Sequence, residues 1–413
     1  MAVLMIWLLA AALPVAPATG AQSPRRIDVN CQFEHGLERA LARAKTLGKV
    51  DINLHGVCEG NFVIATDGIT LRGATSDSGL GAPNGSSTNL PVLEVKDAQA
   101  VLVGLVVRGG VTGVLARGWD AEVLLFGADV HGQAGEGVVA IRGASVKLFD
   151  STVRDGTIGI AADSSGEISL QGVVVSDQRI GVVVRGGSFA ALTNATIENN
   201  REAGLTADSR SEVTIFGGAF RENGGVHVNA GEWSEIRLLS GVTLGSEHDL
   251  TPYSLGVIRG ARIASYSTPA IYGDVSALDG GSIQFGETVL NGGLFLRQFA
   301  NAYVRDATIT GSIYCADGAE AICSSVTNGG VIGCPSSTCG PPTLASGAGA
   351  PSPRKFPMIE VPRFADGQRA RRRGVNQGGA QHEQRRSDDS CARDGTPPQK
   401  TLRQRGLNLG AVP

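Results

Sequence analysis

The most chemically suggestive residues of this 413-residue chain are carboxylates and arginines that recur at a nearly constant interval. Asp155 and Asp177 are 22 residues apart, and Glu198 follows after another 21. If successive repeats stack as parallel strands, equivalent carboxylates lie about 4.8 Å apart. That spacing suits a Ca²⁺ site or the carboxylate pair of a retaining glycosidase. The candidate catalytic residues are therefore Asp155, Asp177, Glu198, Arg154 and Arg221, with Asp155 and Asp177 as candidate metal ligands.

The same residues also have a purely structural interpretation. Charged side chains at exposed turns of neighbouring coils form ion pairs that each contribute little to stability. The six histidines add no metal-site pattern, because no two of them have metal-ligand spacing. His131 and His227 are expected to face outward as ordinary surface residues.

The candidate residues belong to a repeat that extends over residues 98–231. An apolar anchor recurs every 22 or 23 residues at Val107, Val130, Val153, Val175, Ile197 and Phe220. Five residues before each anchor stand Leu102, Leu125, Leu148, Leu170, Leu192 and Ile215. Three before each anchor stand residues that tolerate positive φ, namely Gly104, Gly127, Asp150, Gly172, Asn194 and Gly217. A repeat of short strands and tight turns with no helical period predicts an all-β solenoid whose leucine column is buried.

These columns, and a leader over residues 27–73, resemble the right-handed parallel β-helix proteins of the pectin-lyase-like superfamily. The matching leader residues are Ile27, Val29, Cys31, Leu37, Ala40, Leu41, Ala44, Gly48, Ile52, Gly56, Cys58, Ile64, Ile69, Leu71 and Gly73. The resemblance covers about residues 27–335 and implies a right-handed parallel β-helix of about 22 residues per coil. Residues 34–49 have helical spacing, so we expect an amphipathic helix that caps the first coil.

The resemblance implies a glycan-related function without identifying a reaction, because the superfamily includes lyases, hydrolases, epimerases, esterases and non-catalytic surface proteins. In a catalytic member, Arg154 or Arg221 would act on a uronate. The Asn-Thr-Asp motif of polygalacturonases and the Asp-Pro-His motif of alginate epimerases are both missing. Arg179-Ile180-Gly181 only faintly resembles the polygalacturonase Arg-Ile-Lys. We therefore favour a secreted surface or matrix protein that binds glycans or proteins, with a polysaccharide lyase or glycoside hydrolase as the alternative.

Three regions are expected along the chain. Residues 1–21 have the apolar run and small-residue end of a secretory signal, which places the protein outside the cytoplasm. Residues 22–340 form the capped β-helix, and residues 341–413 form a basic tail rich in Pro, Gly and Arg that we expect to be disordered. From Gly340 onward, 13 Lys and Arg oppose 6 Asp and Glu, a net charge of +7, which leaves −10 on the remainder of a chain of net charge −3. The Arg-rich run 369–373 could contact an acidic polymer or membrane surface, or could simply be solvated.

Seven cysteines and a signal peptide favour disulfides over free thiols or a metal site. Cys31 and Cys58 flank the predicted cap helix and are expected to pair. For the C-terminal four, local pairing predicts Cys315 with Cys323 and Cys334 with Cys339, and pairing across coils is the alternative. Cys391 is left over and expected to be free.

The expected partners are polysaccharides, with no nucleic acid, no membrane span, no cofactor other than the candidate Ca²⁺, and an undetermined oligomeric state.

One further surface is predicted. Between the inward residues that follow each anchor lie Leu115, Val139, Ala161, Val183 and Thr206, which should face outward as an apolar stripe. Such a stripe marks a contact, either with the apolar tail residues Phe356, Met358, Ile359, Val361 and Phe364 or with another subunit or partner.

Overall fold

A computed structural model describes residues 24–83, 89–249, 251–267, 270–334 and 338–339. The predicted signal, the tail and Cys391 lie outside these residues. The described chain is a parallel β-helix of about 13 turns with about 22 residues per turn. Each turn contributes one strand to each of three sheets, called A, B and C, and the strands are numbered β1 to β40 in chain order.

Sheet A contains β1 (Arg25–Asn30), β2 (Val50–His55), β5 (Ile69–Gly73), β8 (Gln99–Val103), β11 (Glu122–Phe126), β14 (Ser145–Phe149), β17 (Glu167–Gln171), β20 (Phe189–Thr193), β23 (Glu212–Phe216), β26 (Glu235–Leu238), β29 (Arg262–Tyr266), β32 (Ser282–Gly286), β35 (Asn301–Arg305) and β38 (Glu320–Ser324).

Sheet B contains β3 (Val57–Glu59), β6 (Gly79–Gly81), β9 (Val106–Arg108), β12 (Asp129–His131), β15 (Thr152–Arg154), β18 (Val174–Ser176), β21 (Thr196–Glu198), β24 (Gly218–Arg221), β27 (Val242–Leu244), β30 (Ala270–Tyr272), β33 (Val289–Asn291), β36 (Thr308–Ile309) and β39 (Thr327–Asn328).

Sheet C contains β4 (Phe62–Ile64), β7 (Leu93–Lys96), β10 (Thr112–Arg117), β13 (Glu136–Ile141), β16 (Ile158–Asp163), β19 (Ile180–Val184), β22 (Ala203–Ala207), β25 (Val226–Ala230), β28 (Tyr253–Val257), β31 (Asp274–Ala277), β34 (Leu294–Leu296), β37 (Ile313–Cys315) and β40 (Val331–Ile332).

The predicted leucine column is confirmed as one inward stack in sheet A. Leu125 pairs with Leu102 and Leu148, and the register continues through Leu170 and Leu192 to Ile215. All six side chains are buried. The turn residues three positions before each anchor adopt positive φ, from 46° at Asp150 to 66° at Gly217, as their types predict.

A helix closes the N-terminal end. It spans α1 (Gly36–Ala44), buries Leu37, Ala40, Leu41 and Ala44, and packs against β1 and β4. A solenoid needs such a cover because its first coil would otherwise expose core side chains. Between β5 and β7 the chain forms the short strand β6.

Three disulfides connect described cysteines. Cys31 pairs with Cys58 as predicted. At the other end, Cys315 pairs with Cys334 and Cys323 with Cys339, so local pairing is wrong and the alternative across coils is correct. The reason is the stacking of the last turns. Cys315 ends β37 and Cys323 lies in β38, and each pairs with a cysteine that follows about one coil later. Both bridges therefore fasten the C-terminal end of the solenoid.

Neighbouring leucines on β11 provide a test of the register. Leu125 is fully buried, whereas Leu124 faces outward and is half-buried. We expect Leu125→Ala to destabilise the fold by about 2–5 kcal/mol, as large-to-small core changes do. Leu124→Ala is the matched control and should cost clearly less. Equal shifts of the urea midpoint for both variants would contradict the register.

The cysteine pairing has its own test. Peptide mapping without reduction should recover Cys315 linked to Cys334, and Cys323 linked to Cys339. Because a bridge restricts the unfolded chain, Cys323→Ser with Cys339→Ser should lower stability by about 3 kcal/mol. Recovery of a peptide that links Cys315 to Cys323 would disprove the pairing.

Candidate functional site

Three of the predicted site residues, Arg154, Glu198 and Arg221, lie in one column at the end of sheet B. We call this column the charged ladder; it consists of Arg108, His131, Arg154, Ser176, Glu198 and Arg221. Strand register places each of them beside the next, from Arg108 and His131 to Glu198 and Arg221. The residue after each ladder position turns the chain out of the sheet. Asp155 and Asp177 occupy this turn with φ of 59° and 57°, a conformation that aspartate tolerates better than most residues. The two carboxylates thus hold the same position on adjacent coils.

Ion pairs hold most of the candidate catalytic groups along the ladder. The Arg154 guanidinium lies 2.9 Å from Asp129 and 2.7 Å from Asp155. Its hydrogen bond to Asp129 raises the pKa of Arg154 above its ordinary value. Arg221 donates from Nε to Glu198 at 2.7 Å. These pairs are partly exposed and contribute little to stability.

Four of the five candidates therefore form two ion-paired groups, Arg154 with Asp155 and Arg221 with Glu198, and the fifth, Asp177, lies on the coil between them. Asp177 makes no ion pair within 4.0 Å among the described residues and is exposed. The described part of the chain also contains no group of three or more His, Cys, Asp or Glu side chains arranged to hold a metal ion. Asp155 and Asp177 remain a candidate pair rather than a complete coordination shell.

A buried amide ladder lies next to the charged ladder, two residues further along the chain in each turn. Gln178, Asn200 and Asn223 are buried, and hydrogen bonds join each of them to a neighbouring coil. The backbone N–H of Gln178 donates to Asn200 Oδ1 at 3.1 Å, and Asn200 Nδ2 donates to Asn223 Oδ1 at 2.8 Å. Asn223 Nδ2 donates to the Ile197 carbonyl at 3.0 Å. This ladder satisfies turn backbone that would otherwise be buried without partners.

The amide ladder continues to His227, and here the sequence prediction is wrong. His227 is 0% exposed rather than outward-facing. Its Nδ1 lies 3.1 Å from Asn223 Nδ2, and its Nε2 lies 3.1 Å from Asp249 Oδ2. The misassignment has a physical cause: Asp249 belongs to an insertion between β27 and β28 that folds back over the turn and buries the imidazole. Periodicity could not predict that contact, because the insertion has no equivalent in neighbouring coils.

Asp249 fastens this insertion through several donors. Its carboxylate accepts from the backbone N–H groups of Glu222 at 2.7 Å and Thr251 at 2.9 Å. Burial by itself raises the pKa of Asp249, but hydrogen bonds from His227, Thr251 and the backbone outweigh burial and hold the pKa well below its ordinary range. The arrangement is enclosed, and we interpret it as structural.

A second candidate surface lies where sheet C turns into sheet A. We call it the aromatic edge and define it by Trp119, Trp233 and Phe299. Each of them comes three residues after an inward residue of sheet C. These inward residues are Ala116, Ala230 and Leu296, and they belong to one column of the sheet. The rings are 77%, 72% and 77% exposed.

Each ring of the aromatic edge lies over a glycine of the following coil. A Cβ at Gly143 would come within 2.4 Å of the Trp119 ring, and one at Gly260 within 2.7 Å of Trp233. Phe299 lies over Gly318 in the same way. Trp233 and Phe299 adopt φ of 66° and 60°, which bulky residues rarely do. The glycines support the rings from one side and leave the other side to solvent.

Trp119 lines a cavity of about 320 Å³. The other lining residues are Lys96, Asp97, Arg117, Gly118 and Arg142. Arg117 is occupied by an ion pair with Glu94, whereas Lys96 and Arg142 form none within 4.0 Å among the described residues. An exposed indole beside available cations can bind a ring-shaped polar ligand and favour a negatively charged one.

Comparisons with known proteins agree with this architecture. Residues 98–240 match the family described as "Right handed beta helix region", which confirms the right-handed β-helix resemblance. No curated protein matches the chain.

Two solved structures illustrate the likeness. The mannuronan C-5 epimerase AlgE6 A-module of Azotobacter vinelandii is 15% identical at a TM-score of 0.44, and the match covers 75% of this chain and 97% of that one. The alginate lyase of Paenibacillus sp. str. FPU-7 is 13% identical at a TM-score of 0.36, with the same coverage of 75% and 97%. At these identities the likeness concerns the fold alone.

The aromatic edge was missed in the sequence, although a signal was present. When the repeats are aligned on the inward column of sheet C, Trp119, Trp233 and Phe299 fall in one column whose other members are mostly Gly, Ser or Arg. A bulky aromatic residue in a turn column that is otherwise mostly Gly or Ser indicates that the position has a role beyond forming the turn.

The Asp249 contact predicts a specific pH dependence. Because the folded-state pKa of Asp249 lies below its ordinary value of about 3.9, its stabilisation is fully present above that pH and is lost as the pH falls towards the folded-state pKa. Asp249→Asn should therefore cost about 1–3 kcal/mol at pH 7, and the difference from wild type should shrink by pH 3. Asp177→Asn, an exposed turn carboxylate, is the control and should change little. Urea unfolding at both pH values measures the effect, and an undiminished difference at pH 3 would refute it.

Proposed function

We propose that this protein is an extracellular glycan-binding protein that holds polysaccharide along its aromatic edge without catalysis. The observation that carries the proposal is the exposed Trp119 ring, which lies over Gly143 in a cavity that also contains Lys96 and Arg142. Aromatic rings with one apolar face and a polar surrounding are well suited to ligands that present both kinds of surface.

The rigid spacing of the edge suits an extended polymer. Trp119 and Trp233 follow strands that are five positions apart in sheet C, and Phe299 follows a strand three positions further. At about 4.8 Å per strand, the rings are separated by about 24 Å and about 14 Å along the solenoid axis. A single small ligand cannot contact all three, whereas a polymer can, with a gain in affinity from multiple contacts.

The three disulfides support the extracellular part of the proposal. Cross-linked cysteines persist in oxidising compartments and are rare in the cytosol. Among the described residues, no helix is long and apolar enough to cross a bilayer.

Affinity electrophoresis of the full chain in gels containing alginate, pectin or neutral glucans tests the proposal. At least one polymer should retard the wild type, and Trp119→Ala should weaken that retardation by about tenfold, which corresponds to about 1.4 kcal/mol. The control is Phe216→Ala, which removes an exposed aromatic side chain from the outer face of sheet A. Equal retardation of both variants, or no retardation by any polymer, would refute binding at the aromatic edge.

Catalysis at the charged ladder is the second candidate. The observation in its favour is that Asp155 and Asp177 hold the same turn position on adjacent coils. Equivalent positions on adjacent strands are about 4.8 Å apart, which suits a shared Ca²⁺ or a retaining carboxylate pair. In this proposal Arg154, Arg221 and Glu198 orient a charged polymer beside the pair.

Catalysis predicts product formation. Wild type incubated with polyuronates and neutral glycans, with and without Ca²⁺, should release unsaturated or reducing ends, and Asp155→Asn with Asp177→Asn should abolish the release. Calorimetric titration with Ca²⁺ should show binding that the double variant loses. No product from any polymer, together with no Ca²⁺ binding, would exclude this candidate and leave binding alone.

A further inference from the structure

The outer face of sheet C carries apolar side chains that are buried although they point away from the core. Val139, Ala161, Val183 and Thr206 stand beside one another in register. Val139 alternates with core residues on either side of it in β13, so it faces outward, as the sequence predicted for the whole stripe. These four residues are nevertheless at most 3% exposed. We call Leu115, Val139, Ala161, Val183 and Thr206 the outer stripe.

Sheet A provides an internal comparison. Its outward residues on the same coils, Lys147, Ser169, Ala191 and Thr214, are only half-buried. Neighbouring strands alone therefore leave an outward side chain half-exposed. The complete burial of the outer stripe requires an additional cover on sheet C.

The cover has definite ends. Leu115 on one side is half-buried, and so are Phe295 and Tyr314 on the other. Buried outward residues run from Val139 in β13 to Ser276 in β31. That is six strand spacings, or about 29 Å along the solenoid axis.

Charged groups beside the outer stripe are also shielded, since Arg185 is buried and Glu136 and Asp208 are half-buried. Glu136 begins β13, Arg185 follows β19, and Asp208 follows β22. Burial raises the pKa of Glu136 and of Asp208 and lowers the pKa of Arg185, in each case because it disfavours the charged form. The margins of this face are thus partly shielded from solvent, whereas its centre is buried.

None of the described elements accounts for the cover. The described strands all belong to the three sheets, and α1 packs against β1 and β4 at the N-terminal end. The structure contains one copy of the chain and no partner, so the occupant is a segment of this chain outside the three sheets and α1.

We propose that residues 353–360 of the same chain cover the outer stripe. This segment reads Pro-Arg-Lys-Phe-Pro-Met-Ile-Glu and places Phe356, Met358 and Ile359 close together in a region otherwise poor in large apolar residues. Two prolines favour an extended backbone with a rise of about 3.1 Å per residue, so eight residues extend about 25 Å. That length is close to the length of the cover.

Chain connectivity and charge favour this occupant. Cys339 is fixed to Cys323 in β38, and the 17 residues from Cys339 to Phe356 can extend up to about 56 Å. The most distant end of the cover, β13, lies nine strand spacings from β40, or about 43 Å. The basic residues Arg354 and Lys355 also complement the carboxylates beside the stripe. A tethered segment loses far less entropy on docking than a free partner does.

Photo-crosslinking in the full chain tests this assignment. A photoreactive residue at position 358 should crosslink within one molecule to the tryptic peptide Ile180–Arg185, which contains Val183. The same residue introduced at Leu402 is the control and should not label that peptide. A crosslink that forms only between two molecules, or no crosslink to sheet C, would overturn the proposal.

A pair of variants supplies an independent measurement that leaves the solenoid core unchanged. Phe356→Asp with Met358→Asp should release the segment, abolish the position-specific crosslink when the photoreactive residue is at 359, and increase the fluorescence of a hydrophobic dye. Leu402→Asp should do neither. Unchanged dye fluorescence in the double variant, with the crosslink retained, would contradict the proposal. The result is independent of polysaccharide binding, because the outer stripe and the aromatic edge are different surfaces.

Discussion

The structure depends on the in-register stacking of each coil on the next. Parallel strands at about 4.8 Å place equivalent residues directly beside each other, so a side chain is surrounded by its own column. An inward column must therefore be apolar over its whole length, and Leu125 and Leu148 share one environment. A polar column inside the wall must satisfy its own hydrogen bonds, as Asn200 and Asn223 do. The disulfides and α1 protect the two ends, where stacking stops and a column has a neighbour on only one side.

The same constraint gives the outer surface its chemistry. In an outward column, opposite charges can pair between coils, which is what Arg221 and Glu198 do. A column can also combine large rings with glycines, so that Trp119 and Trp233 each lie over a glycine of the next coil. The first arrangement uses its charges within the protein, whereas the second leaves ring faces available. For this reason we place polysaccharide on the aromatic edge in preference to the charged ladder.

The inward columns could be predicted from the sequence because stacking repeats the same requirement in every coil. Leu102 and Ile215 lie five coils apart and are buried for the same reason. The features that could not be predicted are those that break the repeat. Asp249 comes from an insertion found in one coil, so its contact with His227 leaves no periodic trace. The bridge from Cys323 to Cys339 depends on which coil each cysteine joins, and local sequence spacing favoured the wrong partner. The burial of Val183 does not follow from the repeat, because outward residues on the same coils of sheet A are only half-buried.

The central functional claim is that polysaccharide contacts the aromatic edge, and tryptophan emission tests it most directly. The chain has three tryptophans, and Trp119 and Trp233 are both exposed on that edge. On titration with a polymer that the protein binds, emission should shift to shorter wavelength and quenching by a soluble quencher such as acrylamide should decrease, because bound sugar displaces water from the rings. Binding of a polymer at saturation with no change in emission or in quenching would contradict the account.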